Sequence, residues 1–363
     1  MNPNQETPDL LLGDFLPRPA LVTTDHTPAH ACLPAIDAHN HLGLRGWIWV
    51  QGDESEQRWA IPDVAALLQL MADLHLAAIF NLDGGWGDVL QRNLDRYDRA
   101  HPGRFVTLAN PDWDFVEHTD FGDRLARQLE ASVHAGARGL KVFKDLGLNI
   151  RLPDGSLLAP TDARLRPLWQ VAAEQDVPVL FHIADPKAFF QPLDRFNERW
   201  EELRRHPDWH FGRPGFPSFD TLMAQQEELL AANPRTRFQS AHVAGNSEDL
   251  RWVAGLLDRC PNLSVDFSAR LAEIGRQPYA ARDFCLKYSD RVIFATDSTP
   301  DPAMYRRYFR FLETCDEHFP YGDPDEPPTQ GRWAISGIGL PADVLAKLYA
   351  GNARRLYRLD AAG

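Results

Sequence analysis

Eight short apolar runs, each leading into a stretch with helical periodicity, constrain this chain more than any other feature. The runs fall at 35–39, 77–82, 104–109, 138–143, 177–182, 236–241, 262–267 and 291–296. Their length and apolar content read as strands. The stretches between them read as amphipathic helices: after Pro62, residues Val64, Leu67, Leu68, Met71 and Leu74 form one stripe, with the proline at a favoured first-turn position. Gly136, Asp176 and Pro261 stand where helices should stop. Strands alternating with helices imply parallel pairing through right-handed crossovers. Eight such units favour a closed (β/α)8 TIM barrel over an open doubly wound sheet. No GxGxxG turn follows the first run, which also weighs against a dinucleotide fold.

The expected organisation is an N-terminal arm over 1–33 and one barrel domain over 34–363. A last helix at 342–356 would pack outside the barrel or across its end. Two connections, 42–61 and 183–217, are longer than linkage needs, and long loops at the catalytic face usually shape a pocket.

Bulk properties narrow the partner. With 363 residues and 44% hydrophobic content there is apolar material for one large core. A formal charge of −13 argues against a nucleic-acid surface, which needs a basic footprint. Cys32, Cys260, Cys285 and Cys315 make no CxxC pair and read as free thiols in a reducing compartment. The first residues lack the basic flank and apolar run of a secretory signal, and nothing approaches the roughly 18 apolar residues of a membrane span. The expectation is a cytoplasmic protein acting on a small molecule, with no nucleic acid and no membrane partner; a homo-oligomer is compatible with all of this.

The chemistry sits at the ends of the strands. His39 and His41 follow the first run (AIDAHNHLG), His182 ends the fifth (VPVLFH), His242 follows the sixth (FQSAH) and Asp297 the eighth (VIFATD). Catalytic groups of a barrel come from the carboxyl ends of its strands. Two histidines two apart on a strand share a face, roughly 6–7 Å apart along the chain, and make a natural chelating pair. Asp37 shares their parity and is expected to orient a histidine ring. Each residue has a bland reading, an HxH by coincidence, a satisfied core histidine, an aspartate capping the following turn. Convergence at one mouth is what favours a metal site. Imidazoles with one carboxylate suit one divalent transition metal, zinc first and then Mn²⁺ or Fe²⁺, over Mg²⁺ or Ca²⁺.

These residues in this order, with GARGLKVFKDLGL at the fourth strand and LPADVLAKLYAGNARRLYRL at the end, resemble the amidohydrolase superfamily, in its amidohydrolase-related branch, over about 34–359. The resemblance implies metal ligation by His39, His41, His182 and Asp297, and catalytic roles for His242 and Asp297. It implies a metal-dependent hydrolase of a small amide, ester or lactone. The alternative is a metal-dependent decarboxylase of a small unsaturated or aromatic acid, and a barrel that only binds is a third reading. Binuclear relatives carry a bridging carbamylated lysine at the fourth strand. Lys141 and Lys144 are read instead as contacts to an acidic group of the substrate, with one ion in the site. Arg45 and Trp47 from the first long loop, and Arg270 after the seventh strand, are the other candidate substrate contacts; their bland reading is packing or solvent exposure.

Overall fold

The structure, a computed structural model, describes residues 9–45, 58–323, 325–326 and 329–359. Eight parallel strands form the barrel: β1 Ala35–Asp37, β2 Leu76–Asn81, β3 Phe105–Thr107, β4 Leu140–Val142, β5 Val179–Phe181, β6 Phe238–Ser240, β7 Leu263–Asp266 and β8 Val292–Ile293. β1–β2–β3 pair in one sheet and β4 to β8 pair in sequence in another. A parallel bridge between Ala109 and Leu140 joins the two. The cylinder closes where Ala38 N donates to Phe294 O (3.1 Å) and Asp297 N donates to His39 O (2.8 Å). Except at β2, the ladders are shorter than the apolar runs by two to four residues, so most of the chemistry-bearing residues lie just past the last rung.

Eight helices follow the strands: α1 Val64–Asp73, α2 Gly87–Leu94, α3 Phe121–Ala135, α4 Arg166–Glu174, α5 Phe219–Ala232, α6 Leu250–Arg259, α7 Pro278–Lys287 and α8 Pro302–Glu313. Local chemistry sets their limits. Asp63, Ser218, Asp249 and Asp301 cap helix N-termini through their side-chain oxygens, each an arrangement worth about 1 kcal/mol. α3 ends at Gly136, whose φ of 123° would strain any other residue. α8 ends at Glu313, and the chain then enters a short antiparallel pair, Phe319–Pro320 with Ala334–Ile335.

Strand parity divides the core. Val142, Val179, Phe181, Phe238 and Val265 face the helices, while Ile36, Ala78, Phe80, Val106, Leu180 and Ile293 fill the barrel. The terminal helical stretch, 342–357, lies across one end. Its Tyr357 stacks edge-on to Phe80 at 4.7 Å and donates to Gln239 Oε1 at 2.9 Å. That residue neighbours Gly139, just before β4, so the plug sits at the amino ends of the strands.

The loop after β1 forms a hairpin of Leu44–Arg45 with Arg58–Trp59 that nothing in the hydrophobic pattern announces. The loop after β5 holds the helix Trp200–Arg205. The N-terminal arm runs along α8, with His26 N donating to Asp316 (2.7 Å) and Cys32 N to Glu313 (3.0 Å).

Candidate metal centre

Three histidine rings are held from behind at Nδ1 and turn Nε2 to a common centre. His41 Nδ1 donates to Asp83 Oδ1 at 2.6 Å, and its Nε2 lies 3.1 Å from Asp297 Oδ1. His39 Nδ1 meets Asp266 Oδ2 at 3.2 Å, and its Nε2 lies 3.8 Å from Asp297 Oδ1. His242 Nδ1 donates to Ser268 O at 2.8 Å, leaving Nε2 3.7 Å from Asp297 Oδ2. At His39 and His242 the partner at Nδ1 fixes the tautomer that presents an Nε2 lone pair, and at His41 it orients the ring so that Nε2 becomes a donor atom once its proton has left, the usual design behind a metal-binding or basic imidazole.

The backbone reaches these positions at a cost. His242, Val243 and Ala244 have φ of 60°, 56° and 56°, followed by Gly245 at 67°, a left-handed turn of four residues directly after β6. Asp297, at φ 52°, is left-handed too. Such residues cost of order 1–2 kcal/mol each and cluster at functional sites. Asp266 N-caps nothing; it instead ties the site together, accepting from His242 N (3.0 Å), Ser268 N (3.1 Å) and Gln239 Nε2 (2.7 Å) besides His39.

His39, His41 and Asp297 each offer a ligand atom, and these atoms lie within 4.8 Å of one another. Two nitrogens and a carboxylate oxygen fit a small divalent transition metal, and a positive charge already faces them: Lys141 Nζ is 3.3 Å from His39 Nε2. Burial outweighs the pull of Asp297 and Asp266 and lowers Lys141 to about 8. Burial and Lys141 keep His39 neutral, and burial keeps His242 neutral. Burial alone would push His41 down, but Asp83 and Asp297 carry it up to about 10. Burial opposes the Asp297 carboxylate, yet His39, His41 and Lys141 hold it ionised far below its ordinary range.

His182 lies on the same cavity but is oriented otherwise. Its ring is 4.2 Å from that of His242, and its Nε2 faces Ala184 O at 3.2 Å and Asp185 at 3.7 Å. It stands outside the group formed by His39, His41 and Asp297. Burial lowers it to about 4 despite Asp185, so it is neutral.

The cavity has a volume of about 520 Å³ and its wall carries Lys144, Asp185, Arg199, Glu202, Trp209 and Arg270. Lys144 pairs with Asp185 at 2.5 Å. Arg199 pairs with Glu202 at 2.7 Å and with Glu273, all three buried. Trp47 lies outside the described residues, as does Trp49, and of Arg45 only the backbone is described.

One expectation changes. Asp37 does not orient an imidazole: the ladder ends at Asp37, parity is lost at Ala38, and the carboxylate turns to Thr296 Oγ1 (2.6 Å), Tyr305 OH (2.7 Å) and Asn40 Nδ2 (2.9 Å). It bolts β1 to the segment after β8 and touches His39 only through the backbone N–H (3.3 Å). The orienting carboxylates are Asp83, after β2, and Asp266, at the end of β7. Both end apolar runs (FNLD, LSVD) just as the chosen residues do, so the same signal would have found them.

A family model described as amidohydrolase matches residues 36–359. Solved structures share the fold at low identity. A 2,6-dihydroxybenzoate decarboxylase complexed with 2,6-dihydroxybenzoate aligns at a TM-score of 0.60 and 16% identity, over 91% of this chain and 100% of that one. A dihydroxybenzoic acid decarboxylase from Polaromonas, with bound manganese and the inhibitor 2-nitroresorcinol, aligns at 0.57 and 16%, over 91% and 98%. A 5-carboxyvanillate decarboxylase from Sphingomonas paucimobilis aligns at 0.53 and 14%, over 90% and 100%. No protein with a curated description matches the chain. No helix among the described residues is long and apolar enough to cross a membrane.

Proposed function

The chain belongs to the amidohydrolase family, whose members are metal-dependent enzymes, and from that premise we propose that it is a carboxy-lyase of a small unsaturated or aromatic acid. The carrying observation is a single cavity whose floor gathers three Nε2 atoms and a carboxylate while its wall carries Lys141, Lys144 and Arg270. A cation-lined pocket over a metal floor suits an acid. The decarboxylases among the structural neighbours support the same reading.

His39, His41 and Asp297 would hold the ion, with His182 on a further side. The nitrogen-rich set suits zinc, and manganese is the second metal to load. When bound, a divalent ion polarises the oxygen it contacts and stabilises negative charge there. The rest is the work of the chain. Loss of CO₂ breaks a C–C bond and leaves its electron pair on carbon, which must take a proton. His242 Nε2, proton-free in the resting site and 3.7 Å from Asp297 Oδ2, can take a proton from solvent water and pass it to that carbon, with the Asp297 carboxylate stabilising the imidazolium in between.

The same pair favours a second reading, hydrolysis of an amide, ester or lactone, since a neutral imidazole beside a carboxylate can take a proton from water. One experiment separates the two. Metal-loaded enzyme is incubated with aromatic and unsaturated acids and, in parallel, with lactones. Release of CO₂ with product lacking a carboxyl group supports the lyase; proton release from lactones alone overturns it in favour of hydrolysis.

A further inference from the structure

The positive charges of the catalytic cavity are satisfied from within, with one exception. Lys144 has Asp185, and Arg199 has Glu202 and Glu273. Lys141 has His39 Nε2 and the nearby charge of Asp297. Arg270 has no carboxylate within 4.0 Å among the described residues, although only 5% of it is exposed. Its one hydrogen bond runs from NH1 to the carbonyl of its own predecessor, Ala269, at 3.0 Å. That bond joins no two elements, so the side chain staples nothing together. The side chain lines the catalytic cavity.

Burying a guanidinium without a counter-charge is costly, and proteins seldom retain one unless a ligand supplies the charge. Among the described residues, Glu202 feels the charge of Arg270 but accepts at Oε2 from Arg199. The turn after β7 also fixes where Arg270 points. Asp266 and Ser268 in that turn hold His39 and His242, Ala269 is left-handed at φ 50°, and Arg270 follows at once. One rigid turn therefore positions two catalytic-floor rings and the unpaired cation.

We infer that Arg270 anchors a second, non-reacting carboxylate, making the substrate a small dicarboxylic acid; this rests on the carboxy-lyase reading above. The reacting carboxylate is a poor tenant for Arg270. A bidentate guanidinium pair stabilises the carboxylate ground state and so opposes loss of CO₂, whereas a group that stays on the product loses nothing by being held. The planar fork of arginine suits that anchoring role.

The test uses the full-length, metal-loaded protein and titration calorimetry with benzoate and with the three benzenedicarboxylates, the 1,2-, 1,3- and 1,4-isomers serving as a ruler. At least one diacid is expected to bind about 10–100-fold tighter than benzoate, the scale of a hydrogen bond to a charged group. Arg270→Gln, with circular dichroism and metal content matching wild type, is expected to abolish that advantage while leaving benzoate binding within a few-fold. If the glutamine variant does not fold, Arg270→Lys carries the test and should retain only part of the advantage. No diacid advantage in wild type, or one of undiminished size in the variant tested, overturns the inference. Binding is read without turnover, so failure to release CO₂ would sink the lyase reading alone.

Discussion

Metal loading should be a proton exchange at His41. In the metal-free protein that ring titrates near 10, because Asp83 and Asp297 outweigh its burial. At pH 7 its Nε2 therefore carries a proton, shared towards Asp297 at 3.1 Å. An ion bound there has to displace it. The three pH units between 7 and 10 correspond to about 4 kcal/mol of competition at pH 7, falling by about 1.4 kcal/mol per unit as pH rises. Lys141, at about 8, is a second proton that a neighbouring dication would expel. The apparent zinc affinity should thus rise between tenfold and a hundredfold per pH unit from 7 to 8, settling to tenfold per unit by 9. Competition against a chromophoric chelator at pH 7, 8 and 9 measures it, and calorimetry in buffers of different ionisation enthalpy counts the protons. Asp83→Asn removes the charge but keeps an acceptor for Nδ1. It should lower the His41 pKa, flatten the slope above pH 8, and cost about 10–100-fold in affinity at pH 9. A flat affinity from pH 7 to 9 in the wild type would refute the reasoning.

Other outcomes follow from the same contacts. Metal-free protein should lose stability on acidification: His182 is neutral when folded with a pKa of about 4, and unfolding restores its ordinary 6.5. The unfolded chain takes the proton first, so the loss begins below pH 6.5, grows to about 3 kcal/mol by pH 4 and then levels, as urea unfolding would record. Tyr305→Phe deletes the buried hydroxyl on Asp37 Oδ2 and should cost about 1–3 kcal/mol in urea midpoint analysis, with metal content unchanged. His242→Ala should lower turnover by about 10²–10⁴-fold while leaving bound metal in place, checked by elemental analysis beside steady-state rates.

The barrel was legible because its grammar is local. Apolar runs such as VPVLF and RVIFA leave little choice but a buried strand, and the capping aspartates and Gly136 mark the intervening helices. The direction of the mouth followed too, since a parallel barrel puts every strand end on one side. What did not follow was partnership. By parity Asp37 shares a face with the histidines, but parity holds only as long as the ladder lasts, and here it ends at that residue. Asp83 and Asp266 carry the same strand-end signature as Asp297, but a lone aspartate after a strand is more often a helix cap, and only spatial neighbourhood distinguishes the cases. The orientation of His182, with Nε2 on Ala184 O, depends on a loop whose path no periodicity encodes.

The left-handed turn at His242–Gly245 is a conflict between local preference and global structure. Val243, β-branched, is among the residues least suited to φ 56°, yet it sits there fully buried. The turn persists because its ends are tied: His242 N is held by Asp266, its ring by Ser268, and Ala244 O accepts from Gln226 Nε2 at 3.0 Å. Each tie belongs to a different element, β7 and the turn after it or α5. The same holds for the other rings, since the loop after β2 supplies the partner of His41 and β7 that of His39. No histidine of the centre is oriented by its own strand. The donor set therefore exists only once β1, β2, β6, β7 and β8 have closed on one another, and metal affinity becomes a report on barrel closure rather than on any one segment.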